Sequence, residues 1–148
     1  MTATSTATTR QSGSARSGGP AQLGADDNAY YAVGSTTTSA YTSSWYGTFS
    51  GVSNSLRSLN VTYKGKNSRS CAQSVSIWRS TTRSWVQLDS RSVGTTEVQV
   101  DRLPGGVLGD YVSGTTGDGA LYVRVRCTST SGTFTASGDL LRITYTKP

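Results

Sequence analysis

The feature that most constrains this chain is a two-residue alternation of apolar and polar side chains that recurs from Leu23 to the C-terminal end. Nowhere do apolar residues return at the helical period of 3.6. Leu59, Val61 and Tyr63 share one parity, as do Val75 and Ile77, Val86 and Leu88, Val98 and Val100, Leu121, Val123 and Val125, and Leu141, Ile143 and Tyr145. Because a strand sends successive side chains to opposite faces, each of these segments has one apolar face and one Ser/Thr/Arg face. Turn residues divide the alternation into predicted strands near residues 28–34, 42–51, 56–64, 72–79, 84–90, 95–102, 107–113, 119–127 and 133–146. One-sided strands bury their apolar faces by stacking sheet on sheet, so the pattern predicts an all-β sandwich of two antiparallel sheets with eight or nine strands.

A hairpin centred on Thr81-Thr82 sharpens the reading. Pairing Arg79 with Ser84 sets Ile77 opposite Val86 and Val75 opposite Leu88 on the inward face, and leaves Trp78 opposite Trp85 on the outward face. The third tryptophan, Trp45, shares parity with Gly47 and Phe49 and is expected in the core. A turn is read at Gly117-Asp118-Gly119.

Residues 1–22 differ from the rest. After Met1 they contain no aliphatic side chain larger than alanine, so they have little apolar surface to offset the entropy of ordering. They are expected to be a linker, or an assembly tail that adds a strand to a neighbour's open sheet edge, with the folded domain occupying residues 23–148. Cys71 and Cys127 both have inward parity on their strands, which permits a buried Cys71–Cys127 disulfide and with it a secreted or cell-surface location.

The chain has no histidine, so Ser-His-Asp and Cys-His catalysis and imidazole metal ligation are excluded. Its single glutamate and scattered aspartates show no spacing that would set two carboxylates across a cleft, as glycoside hydrolysis requires. No enzymatic activity is expected. The formal charge of +6 comes from 14 basic and eight acidic residues without a basic run, so a nucleic-acid partner is not expected, and no apolar stretch near 18 residues predicts membrane insertion.

What remains is surface recognition. An outward tryptophan pair suits the apolar C–H face of a pyranose ring, although the same pair also pins a hairpin. Ser76, Gln87, Arg79 and Arg83 stand near it as hydrogen-bond donors and acceptors. Tyr122, Arg124 and Arg126 form an outward stripe on another strand, where arginine forks suit carboxylate or sulfate groups. Asp26 and Asp27, with Asp139 on the last strand, carry hard oxygen ligands suited to a structural calcium ion; the same Asp-Asp-Asn run also explains itself as a turn.

Ala25-Asp26-Asp27-Asn28-Ala29-Tyr30-Tyr31-Ala32-Val33 leading to Ser44-Trp45-Tyr46, then Leu59-Asn60-Val61-Thr62-Tyr63-Lys64-Gly65-Lys66, Val75-Ser76-Ile77-Trp78 with Trp85-Val86-Gln87-Leu88, and Ser137-Gly138-Asp139-Leu140-Leu141-Arg142-Ile143-Thr144-Tyr145, resemble the jelly-roll β-sandwich modules appended to secreted bacterial, particularly actinobacterial, multidomain proteins. More broadly they resemble galactose-binding-like and carbohydrate-binding modules. The resemblance covers about residues 24–146 and implies a jelly roll, a non-catalytic and often sugar-binding role, and sometimes a calcium between terminal strands. The expected function is recognition of a polysaccharide or cell-surface glycan. The alternative is a self-assembling surface protein, such as a filament, surface-layer or adhesin subunit, joined through residues 1–22.

Overall fold

The computed structural model describes residues 1–114 and 118–148, with Asp118 placed by its backbone alone. The strands are β1 (Thr2–Thr4), β2 (Ala7–Ser12), β3 (Ser14–Ser17), β4 (Tyr31–Gly34), β5 (Tyr41–Ser53), β6 (Ser58–Asn67), β7 (Cys71–Arg79), β8 (Ser84–Val93), β9 (Val98–Arg102), β10 (Asp118–Ser129) and β11 (Thr135–Thr146). One sheet runs β3-β4-β11-β6-β9, with β1 also paired to β11; the other runs β2-β5-β10-β7-β8. All pairings are antiparallel, and the two sheets form the jelly-roll sandwich that the alternation predicts. No helix among the described residues is long and apolar enough to cross a membrane.

The core is made of the inward parities. Leu59, Val61, Tyr63, Val75, Ile77, Leu121, Val123, Val125, Leu141 and Ile143 are buried between the sheets. Trp45 is 1% exposed. Tyr31 packs edge-on against it at 4.9 Å between ring centroids, and Tyr63 at 6.0 Å, so three large rings fill the centre of the sandwich.

Residues 1–22 are not a linker. β1 pairs with residues 142–144 of β11, β2 with β5, and β3 with β4, so the segment passes from one sheet to the other and back. Gly13 makes the crossing between β2 and β3. Its φ is +96°, and a Cβ there would lie 2.0 Å from the Gly34 carbonyl oxygen, so only glycine fits. The side chains of this segment are mostly exposed, which is why their apolar content gave no warning: such edge strands are held by the backbone ladder. Here the strands lie on the protein's own sheets.

The disulfide expectation is also corrected. Cys71 and Cys127 are buried and unbonded. They stand on adjacent strands, but Cys127 faces Gln73, which places Cys71 two residues along the ladder. Diagonal neighbours in a sheet are about 7–8 Å apart, beyond the usual Cα separation of a cystine. Inward parity is necessary for a bridge and is not sufficient without register. Burial pushes the Cys71 thiol up to about 11 and the Cys127 thiol up to about 12, so neither is a thiolate near neutral pH. The argument for an oxidising compartment that rested on a cystine goes with it.

Two smaller differences follow from local exceptions to alternation. Trp78 pairs with Trp85 and Ile77 with Val86 as expected, but a bulge at Leu88 sets Val75 opposite Asp89. Beyond the bulge, Asp89 turns into the sandwich edge, where its carboxylate accepts 2.7 Å and 3.0 Å hydrogen bonds from Arg91 and lies 2.7 Å from Arg102 Nη2. Because β8 and β9 belong to different sheets, this ion group fastens one edge of the sandwich. The segment expected as a strand at 107–113 contains a short 3-10 helix, Leu108–Tyr111, since Tyr111 and Val112 are buried in succession and leave no alternation. The turn read at Gly117-Asp118-Gly119 begins outside the described residues, and β10 is under way at Asp118.

Candidate functional site

The outer face of the five-stranded sheet collects the aromatic residues that the core does not use. Tyr46 is adjacent to core Trp45 and so projects outward from β5; Arg124 of β10 lies directly opposite it. Arg124 in turn faces Ser76 of β7, and Ser76 faces Gln87 of β8, which makes one row across four strands. The next row holds Trp78 and Trp85 as direct cross-strand partners. Val123 pairs with Ile77, and continuing that register sets Tyr122 beside Trp78.

The rings touch one another in sequence. Trp78 and Trp85 lie 5.3 Å apart and inclined at 66°; Trp85 and Tyr46 lie 5.8 Å apart; Tyr46 and Tyr122 meet edge-on at 5.7 Å. Each ring is half-buried. With Gln11 of β2 they line an open cleft of about 340 Å³. Gln11 is held in place by Ser44, whose hydroxyl donates to its Oε1 at 3.0 Å. Arg124 lies over the Trp85 ring, its guanidinium carbon 4.8 Å from the centroid.

The structure pairs Trp78 with Trp85, as expected, and brings beside them Tyr122 and Arg124, which the sequence places only on an outward stripe of another strand, with Gln87 in the neighbouring row. It does not bring in Arg79, whose Nη2 is bound to Asp110 at 3.1 Å beyond the hairpin, nor Arg83, which is exposed in the turn with φ of +50°. Ser76 is buried in the row beneath Arg124. Tyr46 and Gln11 were missed. Tyr46 carried a signal, its parity opposite to Trp45; Gln11 carried none, because its strand was read as linker.

A second group lies on the six-stranded side. Asp26, Glu97 and Asp139 each bring a carboxylate oxygen within 4.8 Å of the others. Asp139 is 0% exposed; its Oδ1 accepts the backbone N–H groups of Asp27 and Asn28 at 3.2 and 3.1 Å, while its Oδ2 is buried without a hydrogen-bond partner. Burial, then the nearby Asp26 carboxyl, raises the Asp139 pKa. Lys64, 2.8 Å from Asp26 and 3.4 Å from Glu97, lowers that of Asp26. Tyr30 donates to Glu97, and that bond is the main reason its phenol is raised to about 12. Asp26 and Asp139 therefore meet as expected. Asp27 does not join them, because its carboxylate accepts the Ala29 N–H at 3.1 Å in a local turn. Glu97 takes its place, from the segment leading into β9, a neighbour that strand parity alone does not reveal.

The sequence matches no protein-family model and no curated protein. Solved structures with the same architecture include the family 32 carbohydrate-binding module of AlyQ in complex with 4,5-unsaturated mannuronic acid, at 13% identity and a TM-score of 0.54 over 97% of this chain and 98% of that one. A family 29 carbohydrate-binding module is 12% identical, with a TM-score of 0.46 over 91% of this chain and 87% of that one. The enzymatically active domain of tailspike protein 4 from bacteriophage CBA120 is 12% identical, with a TM-score of 0.47, and this chain covers 19% of it. At 13% identity the likeness to the AlyQ module is one of fold.

Proposed function

We propose that the protein is a non-catalytic carbohydrate-binding module acting outside the cell, and that its glycan lies across the outer face of the five-stranded sheet. The observation that carries this reading is the convergence of Tyr46, Trp78, Trp85 and Tyr122, drawn from four strands onto a solvent-facing surface where core packing has no need of them. A ring of this kind presents flat apolar faces to sugar C–H groups, and Gln11, Gln87 and Arg124 supply polar contacts at its margins. The β-sandwich shared with the AlyQ module supports the reading at the level of architecture. The assembly alternative drew its strength from a free tail, and that tail is used on its own domain.

The test is retention on insoluble cellulose, chitin, xylan and mannan and migration in native gels containing soluble polysaccharides. Truncating two aromatic anchors is expected to weaken binding about a hundredfold or more, so Trp78→Ala/Trp85→Ala should migrate freely while keeping its fold. Retention of the double variant equal to that of the parent protein overturns the reading.

The proposal extends to a structural calcium ion held by Asp26, Glu97 and Asp139. Their carboxylates are hard ligands at suitable mutual spacing, and the unpartnered Asp139 Oδ2 supplies a buried acceptor. Lys64 would have to leave Asp26 and Glu97 to admit the ion. At a concentration a hundredfold above its Kd, calcium stabilises by about 2.7 kcal/mol, which for a chain of this size raises the Tm by about 5–10 °C relative to chelator. The Asp139→Asn variant should lose that response, and identical melting of the parent protein in calcium and in chelator refutes the site.

A further inference from the structure

We infer that the glycan taken by the aromatic cleft is acidic, its sugars bearing carboxylate or sulfate groups, and that Arg124 and Arg126 bind those groups. This inference rests on the carbohydrate-binding reading above and narrows it. The first observation is the pairing state of the arginines: Arg79 is matched to Asp110 and Arg91 and Arg102 share Asp89, while the other eight, which lie mostly at exposed positions, have no ion pair among the described residues. Among the described residues, neither Arg124 nor Arg126 has an ion-pair partner.

The second observation is what surrounds them. Across the ladder from Arg124 stand Tyr46 and Ser76, and across from Arg126 stand Ser44 and Ser74; none carries a negative charge. Two cations therefore sit two residues apart on one strand with no carboxylate opposite either of them. The third observation concerns Arg124 itself. Its stem is packed into the face, its guanidinium lies over Trp85 at the cleft wall, and its Nε is buried without a hydrogen-bond partner. Stacking fixes the plane of the fork, and a carboxylate or sulfate meeting that edge would satisfy the orphan N–H. Burial, followed by the charge of Arg126, lowers the Arg124 pKa, which is the behaviour of a cation held without a counter-charge.

A neutral glycan would leave this pair uncompensated after the cleft is desolvated; an acidic one meets it. A nucleic acid also offers anions and stackable rings, but the cleft is a recess of about 340 Å³ with Arg124 stacked on one of its lining rings and Arg126 one row further along the same strand, without the basic track that follows a phosphate backbone.

The experiment compares affinities by native affinity electrophoresis for alginate and mannan, polygalacturonate and galactan, and chondroitin sulfate and its carboxyl-reduced, desulfated form, with oligothymidylate as a polyanion of another class. The expected result is preference for at least one acidic polymer over its neutral counterpart, with affinity falling as salt rises. Loss of charge-assisted contacts in Arg124→Gln/Arg126→Gln should weaken that binding by about tenfold or more. Arg57→Gln/Lys147→Gln, which removes the same net charge from exposed positions flanking the six-stranded sheet, should bind like the parent protein; an equal loss in both double variants overturns the inference in favour of general charge attraction. Equal or better binding to every neutral counterpart, tighter binding to oligothymidylate than to any acidic polysaccharide, or binding to no acidic polymer overturns it as well. Should Trp78→Ala/Trp85→Ala lose binding while Arg124→Gln/Arg126→Gln does not, the stacking site stands and the acidic ligand falls; should the tryptophan variant keep full binding, the carbohydrate reading itself fails.

Discussion

Replacing Trp45 by alanine is expected to destabilise the protein by about 3–5 kcal/mol, the cost of emptying a large aromatic site in a close-packed core. Trp45 is buried at the centre of the sandwich between Tyr31 and Tyr63, and the sheets on either side are each tied into long ladders that cannot close over the hole. For a chain of this length the corresponding fall in Tm is about 6–20 °C. Trp45→Phe, which refills part of the volume, should lose less. The informative comparison is with Trp85→Ala, which removes the same side chain from a half-buried position on the outer face and should lower the urea midpoint far less. A Trp45→Ala protein as stable as the Trp85→Ala protein would mean that the parity assigning one tryptophan to the core and the others to the surface is wrong.

The second large effect is expected at Asp89. Its side chain is 5% exposed and takes charge-assisted bonds from two arginines on opposite sheets. Removing it with Asp89→Ala costs about 2–4 kcal/mol: the carboxylate's bonds are lost, and Arg91 and Arg102, each partly exposed, recover only part of their solvation. The Arg91 hydrogen bonds, with a smaller contribution from Arg102, hold the Asp89 pKa below the usual carboxylate range. Its ionised form is therefore favoured by folding. The contribution is fully present above about pH 4, where the unfolded side chain is also ionised, and it is lost as pH falls through the lower native value. Urea titrations at a series of pH values should show the stability of the parent protein falling through this acid range, with a shallower fall in Asp89→Asn. Urea is the appropriate denaturant, since guanidinium would screen the pairs being measured. Parallel acid limbs would remove Asp89 from the account.

Much of the architecture was legible because it depends on parity. Leu59-Val61-Tyr63, Leu121-Val123-Val125 and Leu141-Ile143-Tyr145 each reveal their buried face without knowledge of any partner. The Trp78–Trp85 pair was legible for a similar reason, since a four-residue turn fixes a local register. The rest depends on neighbours distant in sequence. Tyr46 and Tyr122 join the tryptophans only through the strand order β5-β10-β7-β8, and the distance between Cys71 and Cys127 depends on the β7–β10 register. Glu97 reaches Asp26 and Asp139 for the same reason. Strands β1 to β3 failed differently: their stabilisation lies in main-chain bonding to sheet edges, which amino-acid type scarcely records.

The route of that N-terminal segment bears on the order of events in folding. Met1 is bonded through its ammonium to the Tyr145 carbonyl, 144 residues along the chain, and Thr2 to Thr4 lie beside the final strand. Contacts of such long sequence separation are slow to form, because the loop between the two residues must close first. During synthesis β1 therefore waits until β11 has emerged, and a strand early in this sequence is among the last to find its place. Strands β2 and β3 escape this delay, since their partners β5 and β4 follow early in the chain, so it is the β1 side of β11 that stays bare longest, a window in which stray pairing between nascent chains competes with completion of the native sheet.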